Sequence, residues 1–327
     1  MVSSWMNIDS TIHPHLEELR NINGVENIFL AQRDGYPITS AGVWFSANEI
    51  FGISAAASAI YAVAQRLYNN LNYALVEGEQ AKFLIAAFPS NDSFFLSLTT
   101  RTNANLGAII HSLNRCMNQI YPHLLELGSL PPLRNYTSGQ EASILDRFNA
   151  QDKPLHSPNL RIGHQSLVLT NTMVTKLRAL LTDFMNLLDG AHPTFISLNG
   201  GYPITPSNQL DPNTSTLCAF TFALYDTCRK VAWITKRTNV CQVLIDTGAQ
   251  HHFMYNTGSS IFSTTLQKAN SRLGYLRLLI PTFTTRIEET LTEAAQPFFQ
   301  LKSQQPVPTN RFLESFLTCF QSHTQSS

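Results

Sequence analysis

The sequence predicts an α/β fold of the α+β type, made of two similar halves that each follow the order αββαβββα. The main observation is a repeated tetrapeptide, Gly-Tyr-Pro-Ile, which occupies residues 35–38 and returns 166 positions later at residues 201–204. Each copy follows a short apolar run that is typical of a strand. Repetition at a nearly fixed distance indicates that a whole structural unit is duplicated. Any fold assigned to the chain should therefore contain two similar units.

The repeated tetrapeptide is typical of a tight turn between two strands. Asp34-Gly35 and Gly200-Gly201 tolerate the positive φ angles of a two-residue hairpin turn, because glycine has no Cβ. Pro37 and Pro203 cannot donate a ladder hydrogen bond, which places each return strand at a sheet edge or at the start of pairing. A structural role in the turn is therefore assigned to Asp34, Gly35, Tyr36 and Pro37 in the first copy, and to Gly201, Tyr202 and Pro203 in the second.

The helix predicted after each turn gives the second observation. Its apolar face advances by three and four residues, and adding 167 to each position leads to a similar face in the second half. The two faces are Ile50, Ile53, Ala57, Ile60, Ala64 and Leu67, and Leu217, Phe220, Leu224, Thr227, Val231 and Ile234. The first helix is rich in alanine, so it is able to lie close to its own sheet or to a partner helix; the sequence leaves both arrangements open.

The remaining elements follow in the same order in both halves. In the first half we expect a helix from near His13, strands within 28–30, 38–45, 75–76, 82–88 and 94–98, a middle helix at 47–69 and a last helix from Asn103. In the second half we expect helices at 173–188, 216–234 and 270–291, the last one kinked by Pro281, and strands near 195 and within 240–245, 251–255 and 260–265. The predicted organisation is a leader at 1–12, a domain at 13–127, a linker at 128–172, a domain at 173–295 and a tail at 296–327.

Composition restricts the classes of partner and site. The chain has 327 residues, enough for two domains, and 22 basic residues balance 22 acidic ones. No excess charge therefore favours nucleic acid or an anionic membrane. Five cysteines without a C-x-x-C pair predict neither a disulfide framework nor a zinc site. Because we find neither a signal sequence nor a run of about 18 apolar residues, we expect a cytoplasmic protein with no transmembrane segment.

The sequence shows no set of residues with recognisable chemistry. The glycine-rich loop and lysine of a Walker-type phosphate site are missing, and Gly52-Ile53-Ser54-Ala55-Ala56 lacks the strand-to-helix elbow that exposes a nucleophilic serine. His251 and His252 are adjacent, so on a strand they point to opposite faces and cannot share a metal; we predict two surface histidines. We therefore predict no catalytic residue, no metal site and no cofactor. An enzyme of unrecognised type is the least favoured hypothesis.

The order of these motifs resembles the Roadblock/dynein light chain family within the longin-like group. The resemblance depends on Asp34-Gly35-Tyr36-Pro37-Ile38 after the first strand and on Asn105-Leu106-Gly107 at the start of the last helix of the first half. The second half has weaker counterparts, with Gly200 in place of the aspartate and Arg272 in place of the asparagine. Together the two halves cover roughly three quarters of the chain.

The resemblance implies a fold and a function. Family members have a five-stranded antiparallel sheet with the middle helix on one face and the terminal helices on the other, and they dimerise into a continuous sheet with paired middle helices. Two copies in one chain then imply an internal pseudo-dimer or a homo-oligomer. The resemblance implies a non-catalytic protein that scaffolds or regulates a partner. The expected partner is a Ras-like small GTPase or another protein of the Roadblock or longin type. The alternative is a structural adaptor subunit of a motor or membrane-trafficking complex.

The sequence also predicts where a partner binds. Small side chains make the outer surface of two paired middle helices flat, and aromatic and arginine side chains are the types that most often anchor an interface. The candidates for partner binding are Tyr61, Gln65, Arg66, Arg229 and Lys230.

Overall fold

The computed structural model of the chain describes residues 2–42, 47–68, 70–89, 91–125, 170–188, 191–206, 212–234, 239–258, 260–269 and 273–294. These residues form one antiparallel sheet with helices on both faces, which confirms the predicted α+β class. The helices are α1 (Val2–Arg20), α2 (Ala47–Leu67), α3 (Leu106–Leu125), α4 (Asn171–Leu187), α5 (Pro212–Ile234) and α6 (Leu273–Ala294). The strands are β1 (Val25–Gln32), β2 (Pro37–Ala41), β3 (Leu71–Gly78), β4 (Ala81–Phe88), β5 (Asn91–Arg101), β6 (Ala191–Leu198), β7 (Pro203–Pro206), β8 (Val240–Thr247), β9 (Gln250–Asn256) and β10 (Ser260–Gln267).

The ten strands lie in the order β2-β1-β5-β4-β3-β8-β9-β10-β6-β7. The strands of the first half occupy one side of the sheet and those of the second half the other, in mirrored order. Strands β3 and β8 join the two sides as an antiparallel pair in which Leu75 lies opposite Leu244. The predicted edge position of the strands that begin with Pro37 and Pro203 is confirmed, because β2 and β7 are the two outer strands.

The contacts at the β3–β8 junction occur in matched pairs. Asn70 and Asn239 each precede one of these strands and share the left-handed backbone, with φ angles of 60° and 69°. The carbonyl of Asn70 accepts a hydrogen bond from the Gly248 amide at 3.1 Å, and the carbonyl of Asn239 accepts one from the Glu79 amide at 3.3 Å. Asn239 lies 169 positions after Asn70, and Gly248 lies 169 positions after Glu79. The two sides of the junction therefore have the same local geometry.

The helices divide between the two faces of the sheet. Buried side chains of α2 and α5 form one apolar core with the sheet, whereas buried side chains of α1, α3, α4 and α6 form the other. Helix α2 packs against both the sheet and α5, so both arrangements that the alanine-rich sequence left open are present. Ala57 and Ala64 are fully buried, while Ala59 and Ala62 are exposed.

Helix α2 has one further property. By length and composition, its residues Glu49–Leu67 are able to cross a membrane, and within the described ranges no other helix passes that test. Its apolar face, however, faces the sheet: Ile53, Ala57, Ile60 and Ala64 are at most 1% exposed. A buried core helix passes the same test.

Some boundaries differ from the prediction. Helix α1 begins at Val2 rather than near His13, so most of the expected leader is helical, and Ile12 within it is fully buried. Ile12 belongs to the apolar core, which a sequence pattern with few apolar residues does not reveal. Helix α6 continues through Pro281 to Ala294. Most of the predicted linker, at 128–169, and the predicted tail, at 296–327, lie outside the described residues.

Candidate functional site

The exposed side of α2 and α5 is the candidate functional surface, which we call the helix platform. Its α2 side is smooth because Ala59 and Ala62 are exposed there. On α5, Thr216 is exposed and Phe220 keeps 38% of its surface accessible. The two helices come from different halves of the chain, so the platform exists only when both halves are paired.

The predicted turn residues shape the border of the platform. Both turns are wider than the predicted two-residue turn, since Arg33–Tyr36 and Asn199–Tyr202 connect the strands. The first turn is closed by bonds from the Gly35 amide to the Gln32 carbonyl and from the Gln32 amide to the Tyr36 carbonyl, each 2.8 Å long. Leu198, Gly201 and Tyr202 form the same two bonds, at 2.9 and 2.8 Å.

The side chains of the two turns differ. Asp34 accepts a bond from the Tyr36 amide at 3.0 Å, the local role assigned to it, whereas Gly200 offers no such side chain. The Tyr36 ring lies edge-on to Phe51 of α2, while Tyr202 is 65% exposed. The backbones of the two turns are therefore closed by the same pair of hydrogen bonds, whereas their side chains make different contacts.

The prediction that Tyr61 is an exposed anchor is wrong. Its side chain is fully buried and its ring stacks on Phe95 of β5, with 5.2 Å between the ring centroids. The position was readable from the sequence, because Tyr61 is four residues from Ala57 and three from Ala64 on the buried stripe of α2. The hydroxyl group reaches the edge of the helix, where it accepts a bond from Gln65 Nε2 at 2.8 Å.

Beside α2 lies an open groove of about 1160 Å³, which we call the α2 groove. It is lined by the C-terminal half of α2, by the start of β3, by the end of β4 with the following turn, and by Arg33 of the first turn. The lining residues are Arg33, Ala62, Gln65, Arg66, Asn70, Leu71, Asn72, Ala87, Phe88, Pro89 and Asp92. Two of the five predicted binding residues, Gln65 and Arg66, therefore line one concave site, and Tyr61 lies directly behind it.

Hydrogen bonds hold one wall of the α2 groove in place. Arg33 Nη1 lies 3.0 Å from Asp92 Oδ2, and the Tyr61 hydroxyl donates to the Asp92 carbonyl at 3.5 Å. The Ser58 hydroxyl of α2 donates to the Arg33 carbonyl. Burial, together with the Asp92 charge, raises the pKa of Tyr61 to about 12 against the opposing effect of Arg33, so its hydroxyl stays protonated and remains a donor.

The other two predicted binding residues lie on α5. Arg229 Nη2 is 2.8 Å and Lys230 Nζ is 3.0 Å from the carboxylate of Asp226, one turn earlier on the same helix. Both cations are exposed, so these bonds to a carboxylate are readily exchanged with water or with a partner. The structure therefore places the candidates in two groups, one at the α2 groove and one on α5.

The prediction of two surface histidines is also wrong, because both rings are 4% exposed. Strand β9 lies between β8 and β10 with helices on both faces, so neither face is open to water. His251 Nε2 lies 2.6 Å from Asp246 Oδ2 on one face. His252 faces the other core, where it stacks on Tyr68 at 3.7 Å between centroids and bonds Thr265 Oγ1 at 2.8 Å.

A polar cluster around Asp246 connects the two halves beneath the helices. Asn72 Nδ2 of β3 donates to Asp246 Oδ1 at 2.6 Å, and Lys268 Nζ lies 3.1 Å from the same oxygen. Burial by itself would raise the pKa of Asp246, but the bonds from His251, Asn72 and Lys268 outweigh it and lower that pKa. Glu77 occupies a comparable position on β3, where it accepts from Gln242 Nε2 of β8 at 2.7 Å and pairs with Lys82 at 3.3 Å. These carboxylates are satisfied by the fold itself.

The described residues offer little for catalysis. Among them no group of three or more histidine, cysteine, aspartate or glutamate side chains is placed to hold a metal ion. Burial raises the pKa of Cys116 to about 11 and that of Cys218 to about 12, so these thiols remain protonated and are poor nucleophiles.

The sequence did not identify four polar residues of the α2 groove: Arg33, Asn70, Asn72 and Asp92. They come from separate segments that only the folded sheet brings together. Arg33 directly precedes the predicted Asp34-Gly35 turn, and this position was the one available signal.

Comparison with known proteins identifies similar structures. No protein-family model and no curated protein matches the sequence. A Roadblock/LC7 domain from Streptomyces avermitilis is 14% identical, with a TM-score of 0.31, over 36% of this chain and 97% of its own. MglB from Myxococcus xanthus is 15% identical, with a TM-score of 0.34, over 37% of this chain and 92% of its own. The gliding protein MglB from Thermus thermophilus is 15% identical, with a TM-score of 0.33, over 36% of this chain and 92% of its own.

Proposed function

We propose that this chain is a non-catalytic binding protein in which two Roadblock-like modules, 13–127 and 173–295, form an internal pseudo-dimer. We further propose that its helix platform binds a Ras-like small GTPase and scaffolds or regulates it. The observation that carries the proposal is the pairing of α2 with α5 on one face of a continuous ten-stranded sheet. This is the arrangement that the sequence resemblance implies for a dimer, here supplied by a single chain.

The surface of the platform supports a protein partner. Exposed alanines make α2 flat, so a second protein is able to approach closely over both helices. Arg66 of α2 and Arg229 of α5 project from the two helices, and arginine is among the side chains that contribute most to binding energy. Phe220 adds a partly exposed aromatic ring.

The chemistry of the described residues supports a binding role over an enzymatic one. The buried histidine His251 is paired with Asp246, and the buried thiols are protonated. A regulator of this kind would act by contacts that differ between the GDP-bound and GTP-bound states, because a ligand that binds both states equally shifts neither. Regulation in this sense requires no catalytic residue from the chain.

The test is a binding measurement with Ras-like GTPases from the same cell, each loaded with GDP or with a non-hydrolysable GTP analogue. We expect one of them to bind the intact chain with a nucleotide preference. The double variant Arg66→Glu/Arg229→Glu should weaken that binding by about tenfold or more, because the charge of one exposed arginine on each helix of the platform is reversed. Arg115→Glu is the control, since Arg115 is an exposed arginine of α3 on the opposite face.

Three outcomes separate the alternatives. Binding with a nucleotide preference that the double variant reduces supports the proposal. Binding that is equal in both nucleotide states favours the structural adaptor of a motor or trafficking complex. If none of the GTPases binds in either state, GTPase regulation is abandoned.

A further inference from the structure

We infer that the α2 groove is the docking site for an acidic, carboxylate-bearing segment of the protein partner. The inference rests on the proposed function for the identity of the partner, and it adds the chemistry and the location of the contact. It also assigns unequal roles to the two halves of the chain, because the groove belongs to the first half.

The lining of the groove carries donors for a carboxylate. Arg33 and Arg66 supply guanidinium groups, and Gln65 and Asn70 supply side-chain amides, whereas Asn72 Nδ2 already donates to Asp246 Oδ1 and to the Thr247 carbonyl. Among the described residues that line the groove, Asp92 is the one acidic side chain, so these residues together carry a net positive charge from the two arginines. A guanidinium group presents its donors as a planar fork that matches a carboxylate. The floor offers little apolar surface, since Leu71 and Phe88 are 6% and 4% exposed.

The wall of the groove is fixed before any partner arrives. Asp92 is held through its carbonyl by the Tyr61 hydroxyl, whose other bond is to Gln65, and the Arg33 carbonyl is held by Ser58. The Arg33 amide also donates to the Ser93 carbonyl at 2.8 Å. These bonds fix the backbone from which the Arg33 side chain extends, so the wall itself loses little conformational freedom on binding. Tyr61 is accordingly a positioning residue behind the groove rather than a contact residue.

The Arg33–Asp92 ion pair leaves room for a competing carboxylate. The two side chains are 54% and 67% exposed, so water screens their attraction and the pair is weak. A carboxylate from the partner is therefore able to share or replace Asp92 on the Arg33 guanidinium group. Asp92 in this arrangement opposes the binding of acidic ligands.

The second half does not repeat this set of donors. The turn position that corresponds to Arg33 is Asn199, 166 residues later, and its Nδ2 is bonded to the Gly258 carbonyl at 3.1 Å. The two halves therefore differ in charge at this turn position, with an arginine in the first half and a neutral asparagine in the second.

The experiment uses the full chain and a fluorescein-labelled octaglutamate peptide, with octalysine as the peptide control, measured by fluorescence anisotropy at low and physiological salt. We expect octaglutamate to bind and octalysine not to bind. Arg66→Glu and Ala62→Trp should each weaken octaglutamate binding by about tenfold or more, one by reversing a charge and the other by filling the groove. Asp92→Asn should strengthen it by about threefold, because the opposing carboxylate is removed.

Matched controls lie outside the groove. Arg115→Glu reverses an exposed arginine of α3 on the opposite face, and Ala108→Trp adds the same bulk as Ala62→Trp at an exposed alanine of the same helix; each should change the affinity by less than about twofold. Equal losses for Arg66→Glu and Arg115→Glu would show attraction to overall charge and overturn the inference. Unchanged binding in Ala62→Trp, or no binding by the unmodified chain, would also overturn it.

A competition assay separates this inference from the proposed function. We expect octaglutamate to displace a GTPase that binds the platform. A bound GTPase that the peptide does not displace overturns the groove as the docking site and leaves the proposed function standing. If octaglutamate binds at the groove and no GTPase binds the chain, the proposed function is overturned and the groove remains a binding site for acidic segments.

Discussion

His252 is a titratable side chain that the fold keeps neutral. Its ring is stacked on Tyr68, its Nδ1 bonds Thr265 Oγ1, and its Nε2 is buried with no hydrogen-bond partner among the described residues. A proton on Nε2 would therefore be buried without an acceptor. Burial, with a smaller contribution from the neighbouring His251, lowers the pKa of His252 to about 4.

The pH dependence of stability follows from this pKa. Between about pH 6.5 and pH 4 the unfolded chain binds a proton at His252 that the folded chain does not, so acidification in this window favours unfolding. The stabilisation is present above pH 6.5 and falls by up to about 3 kcal/mol as the pH reaches 4. His252→Gln, which retains a polar group opposite Thr265, should flatten the dependence in urea unfolding measured at several pH values. The same slope in both proteins would contradict the assignment to His252.

The turns and the middle helices contact each other in the same way in both halves. A Cβ atom on Gly35 would lie 2.8 Å from the Cα of Ala55, and one on Gly201 would lie 2.8 Å from the Cα of Ala219. Both glycines also have positive φ angles, 87° and 82°. Glycine is therefore required at both turns for two reasons: the backbone has a positive φ angle, and the turn approaches an alanine of the helix too closely for a Cβ.

Alanine at either turn glycine should be destabilising. We expect Gly35→Ala and Gly201→Ala each to lower the free energy of unfolding by about 1–3 kcal/mol, because the strained backbone and the contact with the helix act together. Gly274→Ala is the control: it lies in α6, and a Cβ there meets no atom within 4 Å. That change should be neutral or stabilising by about 1 kcal/mol. Equal thermal melting of all three variants would show that the turns tolerate a side chain.

The sequence predicted the helices and strands well where a local pattern governs them. The stripe of Ile53, Ala57, Ile60 and Ala64 identified α2, and the repeated glycine turn located β1 with β2 and β6 with β7. Local patterns do not define which elements cover which faces. For that reason His252 was expected at the surface although β9 has a helix layer on each side.

The functional surface was less predictable because it is assembled from distant segments. Arg33, Asn72 and Asp92 are close in space only because β1, β4 and β5 are neighbours in the sheet and β3 adjoins β4. Pairing of β3 with β8 has no local sequence signal either. The structure contains this pairing together with the contact between the middle helices α2 and α5. The platform and the groove therefore depend on how the halves are joined.

The junction itself can be tested with two substitutions at one position. Gln242 of β8 donates to Glu77 of β3 at 2.7 Å, and the same carboxylate pairs with Lys82 at 3.3 Å and with Arg277 of α6. Gln242→Glu would place two carboxylates opposite each other across the junction, whereas Gln242→Lys would place an ammonium group there. A glutamate should therefore weaken the association of the halves, and a lysine should maintain it.

The measurement uses the halves as separate chains, 1–127 and 170–295, which include all of α1 and the Thr170 side chain that caps α4. On mixing, we expect a one-to-one complex, seen by light scattering and titration calorimetry. Because like charges at directly opposite strand positions cost about 1 kcal/mol, Gln242→Glu should weaken the complex by about fivefold, and Gln242→Lys should leave its affinity within about twofold. Circular dichroism of each half alone checks that the substitutions act on association. Separate halves that are folded and do not associate would show that the β3–β8 pair is too weak to hold the two sides of the sheet together without a covalent connection.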